Sequence, residues 1–194
     1  MVAVERSRMY RVVHVGTGLT GKEALRAIIA DPALELVGVK VSTPEKAAIA
    51  RAAGADEVIF YTEQDFAAEA RRLTDGRGVD VVYDGVGRST YDKSLDSLRP
   101  RGMMVLFGYA SGAVTSVDPS QLNTKGSLFL TRPTLAHYIA TREELMWRAT
   151  EVLELVGSGR LAVRIDAVYP LDRAPDAHRV LEGRGTTGKL LLAV

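Results

Sequence analysis

From residue 9 to about residue 135, short β-branched runs alternate with helical patterns, and this alternation constrains the fold more than any other feature. "MYRVVHV" (9–15) reads as a buried strand. "GKEALRAIIADP" reads as a helix with Leu25, Ile28 and Ile29 on one face and Pro32 beyond its end. "LELVGVKV" (34–41) is a second strand. It is followed by the helix "TPEKAAIARAAGA", with Thr43 as N-cap, Pro44 at its first position and Gly54 as its stop. The strand "DEVIFY" and the helix "TEQDFAAEARRLTDG", capped by Thr62, come next. "VDVVYDGVG" is a fourth strand running into a glycine turn, "STYDKSLDSL" a short helix, "RGMMVLFG" a fifth strand and "KGSLFLTRP" a sixth. Strands linked by single helices through short connections form a parallel sheet covered on both faces. Right-handed crossovers make that sheet doubly wound.

The first strand ends in "GTGLTGK", which fits two phosphate-binding patterns. Gly16, Gly21 and Lys22 match a P-loop, but the hydroxyl that holds Mg²⁺ there is replaced by Glu23, a carboxylate where a triphosphate would sit. Gly16, Gly18 and Gly21 match the dinucleotide fingerprint, and their context suits it: they follow a strand and open a helix inside a βαβ unit. Gly16 makes the tight turn, Gly18 admits the pyrophosphate and Gly21 lets helix and strand pack closely. Thr17, Leu19 and Thr20 complete the loop, whose amides and helix dipole face the anion. The expected fold is therefore α/β, a doubly wound Rossmann sheet. "GRGTTGK" (183–189) matches both patterns too, but it follows a helix and precedes a strand, as a plain turn does.

Cofactor choice falls to the end of the second strand. A carboxylate there binds the ribose 2′-OH of NAD. This chain has Lys40-Val41-Ser42-Thr43-Pro44-Glu45-Lys46, whose hydroxyls and cations suit a 2′-phosphate and hence NADP(H). Glu45 dissents, although the first turn of a helix also favours a carboxylate.

Several chemistries are disfavoured. A net charge of +1 offers no electrostatic case for nucleic acid or an anionic membrane. The chain has no cysteine, which rules out disulfides and thiolate nucleophiles, and its three histidines are scattered, so no metal site is expected. The start "MVAVERSRMY" does not read as a signal peptide, and no uncharged apolar run nears the about 20 residues of a membrane span, so a soluble cytoplasmic protein is expected. The short-chain dehydrogenase pattern is missing: Tyr91 is followed by Lys93 at the wrong spacing, and Tyr138 by Arg142, the wrong residue. Asp84 reads as a turn residue bonding backbone amides rather than a general base. His14 reads as a packed histidine, Met103 and Met104 as core, and Trp147 as a packing anchor on a long helix. No catalytic residue is assigned.

From Ser42 onward the chain resembles the zeta-crystallin-like NADPH:quinone oxidoreductases, a zinc-free branch of the medium-chain dehydrogenases. The resemblance rests on "STPEKAAIARAAGADEVIFY", "GRGVDVVYDGVG", "SLRPRGMMVLFGYASGAV", "LNTKGSLFLTRPTLAHYIATREEL" and "YPLDRAPDAHRVLEGRGTTGKLLLAV". It implies that Ser42, Lys46 and Tyr61 surround the adenosine 2′-phosphate, with Thr43 beside them. It puts Gly85 and Val86 along the adenosine, Phe107 and Gly108 near the nicotinamide ribose, and Leu130, Thr131 and Arg132 at the nicotinamide. Arg184 would reach back to the adenosine phosphate. It also implies a homodimer through the edge strand at 127–133.

Residues 9–41 resemble instead the amino-terminal segment of dihydrodipicolinate-reductase-like and diaminopentanoate-dehydrogenase-like proteins. The quinone reductases usually carry an Ala/Gly-rich loop where this chain has G-T-G-L-T-G. They also have a catalytic domain ahead of the Rossmann strands, where this chain has an eight-residue tail. The expected organisation is a tail at 1–8, an NADP-binding domain at 9–140 and a helix/strand appendage at 141–194, in a chimera of two sources. The expected function is NADP(H) binding with little or no turnover. An active NADPH-dependent quinone or enone reductase and an NADPH-sensing module remain open. The runs "LAVRIDAV" and "KLLLAV" are expected to pair with each other or across a dimer.

Overall fold

The computed structural model describes residues 10–15, 33–41, 44–52, 55–183, 186 and 188–194. The whole glycine loop 16–21, with Ser42, Thr43, Gly54 and Arg184, lies outside these residues.

Six strands form one sheet: β1 (Tyr10–Val15), β2 (Leu34–Val41), β3 (Val58–Phe60), β4 (Val79–Asp84), β5 (Leu98–Leu106) and β6 (Phe129–Thr131). Their order is β3-β2-β1-β4-β5-β6, and every pairing is parallel. The order reverses between β1 and β4, which makes the sheet the doubly wound one read from the alternation. Among the described residues four helices connect its strands: α1 (Pro44–Ala52), α2 (Phe66–Arg72), α3 (Tyr91–Asp96) and α4 (Pro119–Thr124).

Each face has its own core. On one, Val39 and Val41 of β2 meet Ala47 and Ala50 of α1. On the other, Val13, Ile59, Val82 and Met104 meet Phe66 and Ala70 of α2 and Tyr91 and Leu95 of α3. Alternate residues of a strand point to opposite faces, and this corrects one expectation. Met104 is fully buried, but its neighbour Met103 is 40% exposed. The cap of α2 also differs from expectation. The helix starts at Phe66, and the Asp65 carboxylate, not Thr62, accepts from the Ala67 and Ala68 amides. A short side chain reaches only the orphan amides of the following turn, which sets the cap next to the first helical residue.

At the amino-terminal end of the sheet, Asp80 ties three strands together. It accepts from the Arg11 amide of β1 at 2.9 Å, from Arg99 of β5 and from Arg77. Burial pushes its carboxyl upward, but Arg77, the Arg11 amide and Arg99 together hold it far below the usual carboxylate range.

After the last strand of the sheet come α5 (Leu135–Tyr138) and α6 (Arg142–Gly157). The last is opened by a reciprocal capping box between Thr141 and Glu144. Then come β7 (Ile165–Pro170), a 3₁₀ turn over Leu171–Arg173, α7 (Ala174–Glu182) and β8 (Lys189–Ala193). The two apolar runs of this segment pair with each other, as β7 and β8 in a separate parallel sheet. No residue of α6 is buried. Trp147, read as a packing anchor, is 63% exposed.

Candidate cofactor site

Register brings the predicted site residues to one edge. Val15 pairs with Lys40 on one side and with Asp84 on the other. Val41 pairs with Phe60, Asp84 with Leu106, and Val105 with Thr131. The carboxyl ends of five strands therefore form a row with Thr131 at its end. Tyr61, Gly85, Phe107 and Arg132 are each the first residue past a strand. Ligands of open α/β sheets bind in the crevice outside this edge, where the strand order reverses.

Asp84 shapes the centre of the row. It is fully buried and accepts four hydrogen bonds: from the Val86 amide at 2.7 Å, the Gly87 amide at 3.0 Å, the Thr90 hydroxyl at 2.8 Å and the Ser94 hydroxyl at 2.7 Å. It is the turn residue expected from the sequence. Its bonds hold the Gly85–Val86–Gly87 turn, in which Gly87 has φ +92°.

The neighbouring turn is locked to this one. The Asp84 carbonyl accepts from the Phe107 amide at 2.9 Å, and the Val86 carbonyl from the Ser111 amide at 2.8 Å. A Cβ on Gly85 would meet the Phe107 ring at 2.9 Å. That ring stacks on buried His14 with centroids 6.3 Å apart. At the end of β6, Arg132 donates to the Leu106 carbonyl at 3.2 Å and lies over the Tyr109 ring. Leu130 and Thr131 are half-buried beside Met104 and Val105. Lys46 is exposed in the first turn of α1.

Lys40 is the residue whose importance the sequence understated. It stands in β2, is only 1% exposed, and its ammonium has no hydrogen-bond partner among the described residues. The Nζ lies 3.6 Å from the centroid of the Tyr61 ring and 4.9 Å from that of Phe66. Burial lowers its pKa to about 8 against the pull of Asp84, and Lys93 adds to the lowering. A lysine inside the otherwise apolar "LVGVKV" was the available signal.

Among the described residues no three His, Asp or Glu side chains gather in a way that could hold a metal ion. No helix among them is long and apolar enough to cross a membrane.

A family model described as zinc-binding dehydrogenase matches residues 53–192. Quinone oxidoreductase 1 of Escherichia coli is 46% identical over 179 residues, which cover 91% of this chain and 53% of that protein. The quinone oxidoreductase of Pseudomonas aeruginosa is 42% identical over 177 residues, again covering 91% of this chain and 53% of the relative. The chain thus spans about half the length of the curated relatives it matches. Among solved structures, a mycobacterial quinone oxidoreductase superposes with a TM-score of 0.87 at 42% identity, covering 98% of this chain and 58% of the other. The Escherichia coli quinone oxidoreductase complexed with NADPH superposes with a TM-score of 0.85 at 42% identity, covering 98% and 59%.

A match of 179 residues is longer than the stretch 42–194 and so reaches into the amino-terminal residues that resemble a second family. These matches lend no support to a chimera, and no splice near Val41 is needed to account for them. This sequence has no cysteine, so it offers no thiolate ligand for the zinc in the family's description. The chain belongs to the zinc-binding dehydrogenase family, as a homologue of its quinone oxidoreductases.

Proposed function

We propose that this chain is the NADPH-binding domain of a quinone-oxidoreductase-like protein. The observation that carries the proposal is the row of turns at the carboxyl edge of a parallel sheet, on both sides of the β1/β4 reversal. Beside it, a buried ammonium stands without a hydrogen-bond partner among the described residues at the β2 end. A dinucleotide fits this arrangement. The turns after β4 and β5 are partly exposed at Gly85, Val86, Phe107 and Gly108, and the β2 end supplies positive charge. Ser42, Thr43, Lys46 and Tyr61 would hold the adenosine end, with Gly16–Gly21 at the pyrophosphate and Arg184 reaching towards the adenosine phosphate. Gly85 and Val86 would line the adenosine, Phe107 and Gly108 the ribose beyond, and Leu130, Thr131 and Arg132 the nicotinamide. NADPH, when bound, supplies a hydride. The protein residues bind it, orient it and exclude water from one of its faces.

Turnover requires more than binding. The acceptor must be held against the nicotinamide, and orientation of that kind contributes roughly 7–11 kcal/mol to barrier lowering. The chain spans about half the length of its curated relatives, and in this reading it supplies one wall of the cleft that would hold the acceptor. We therefore infer saturable NADPH binding with negligible quinone reduction by this chain alone. The test follows NADPH absorbance with 1,4-benzoquinone, with and without protein, beside a fluorescence titration of NADPH. Quinone-saturable turnover that disappears in Gly18→Asp would establish a working reductase instead. A partner protein that binds only with NADPH would favour a sensing module.

A further inference from the structure

The Lys40 ammonium is a buried positive charge with its neighbours already committed. Asp84, the carboxylate that acts on it most, spends its oxygens on Val86, Gly87, Thr90 and Ser94. Lys93, the other charge that it feels, pairs with Asp65 at 3.0 Å. What faces the ammonium is aromatic: Tyr61 from the end of β3 and Phe66 from α2. The Phe66 ring is buried, whereas Tyr61 is 41% exposed. Lys40 therefore sits one side chain below the surface of the carboxyl edge, near the second-strand position where dinucleotide folds distinguish a ribose hydroxyl from a ribose phosphate. A charge in a low-dielectric setting acts on a nearby anion more strongly than an exposed one, because water screens it less.

We propose that Lys40 selects the phosphorylated dinucleotide, with its ammonium beneath Tyr61 serving as the buried counter-charge to the ribose 2′-phosphate. This rests on the dinucleotide-binding function proposed above and adds a specificity-determining residue and a pH dependence to it. The ammonium orients the Tyr61 ring from below and draws the phosphate from above. NADH, lacking that phosphate, gains nothing from it. The preference for NADPH is then present while Lys40 is protonated and declines as pH rises through about 8, where burial has placed its titration. A phosphate monoester completes its second ionisation near pH 6, so between pH 7 and pH 9 the ligand's charge is constant and the lysine's is not.

Fluorescence titrations of NADPH and NADH at pH 7 and pH 9 test this on the whole chain and on Lys40→Met and Lys40→Arg. The wild-type preference for NADPH should fall about tenfold between the two pH values, as expected when only the protonated form of a group with pKa near 8 contributes. Lys40→Met should lose about tenfold in NADPH affinity at pH 7, keep its NADH affinity, and show no change of preference with pH. Lys40→Arg should keep the preference at both pH values, because a guanidinium does not titrate there. A Lys40→Met protein with the wild-type preference and pH response overturns the inference. If Lys40→Met does not fold, a Lys40→Arg preference that still falls between pH 7 and pH 9 overturns it equally. A wild-type chain that binds neither cofactor would instead sink the dinucleotide-binding function, and this inference with it.

Discussion

Gly108 is seated directly on Gly85: a Cβ added to Gly108 would lie 2.2 Å from the Gly85 carbonyl oxygen. The turns after β4 and β5 touch backbone to backbone, so the crevice edge is built as one unit. Gly108→Ala has no room except by separating them. The expected cost is about 1–3 kcal/mol of stability, the usual range for overpacking. NADPH affinity should fall with it, because both turns move. Urea denaturation gives the first quantity and a fluorescence titration the second; a Gly108→Ala variant of wild-type stability would show that the two turns are not locked.

Asp80 should make stability sensitive to acid. Its folded-state pKa is held below the unfolded value of about 3.9. A depressed carboxylate contributes stability that is fully present above the unfolded pKa and is lost as pH falls towards the folded one. Unfolding free energy should therefore drop between about pH 5 and pH 2. Asp80→Asn should flatten part of that slope and lower stability at pH 7 by roughly 1.5–3 kcal/mol. Denaturant midpoints measured across the pH series decide it.

Helix α6 should be the weakest long element of the described chain. It has a capping box but no buried residue, and Leu145, Met146, Trp147, Val152 and Leu153 are all exposed. Helical stability in proteins comes chiefly from packing of an apolar face. Amide exchange in 142–157 should thus be faster than in β4, whose Val79 and Val82 are fully buried. Equal protection by hydrogen-exchange mass spectrometry would mean that something covers the helix in solution.

The outer strand β6 should mediate self-association. It stands at the edge of the six-stranded sheet, with Phe129 57% exposed beside buried Leu128. An apolar strand edge invites pairing with its own copy about a two-fold axis. Light scattering at tens of micromolar should report a dimer, and Phe129→Asp a monomer. A monomeric wild-type chain would dismiss the edge as an interface.

Alternation of β-branched runs with helical patterns was enough to read the parallel doubly wound sheet, because a strand's length and a helix's period are local properties of the chain. The turn role of Asp84 was legible for the same reason: its amide partners, Val86 and Gly87, lie two and three residues ahead. Lys40 was not legible as a buried charge. Its neighbours Tyr61, Phe66 and Asp84 come from other parts of the chain, and only register across β1, β2, β3 and β4 brings them together. Met103 and Trp147 failed the same way in the opposite direction. An apolar residue is buried only if some surface arrives to cover it, and that is decided by tertiary packing, not by the residue.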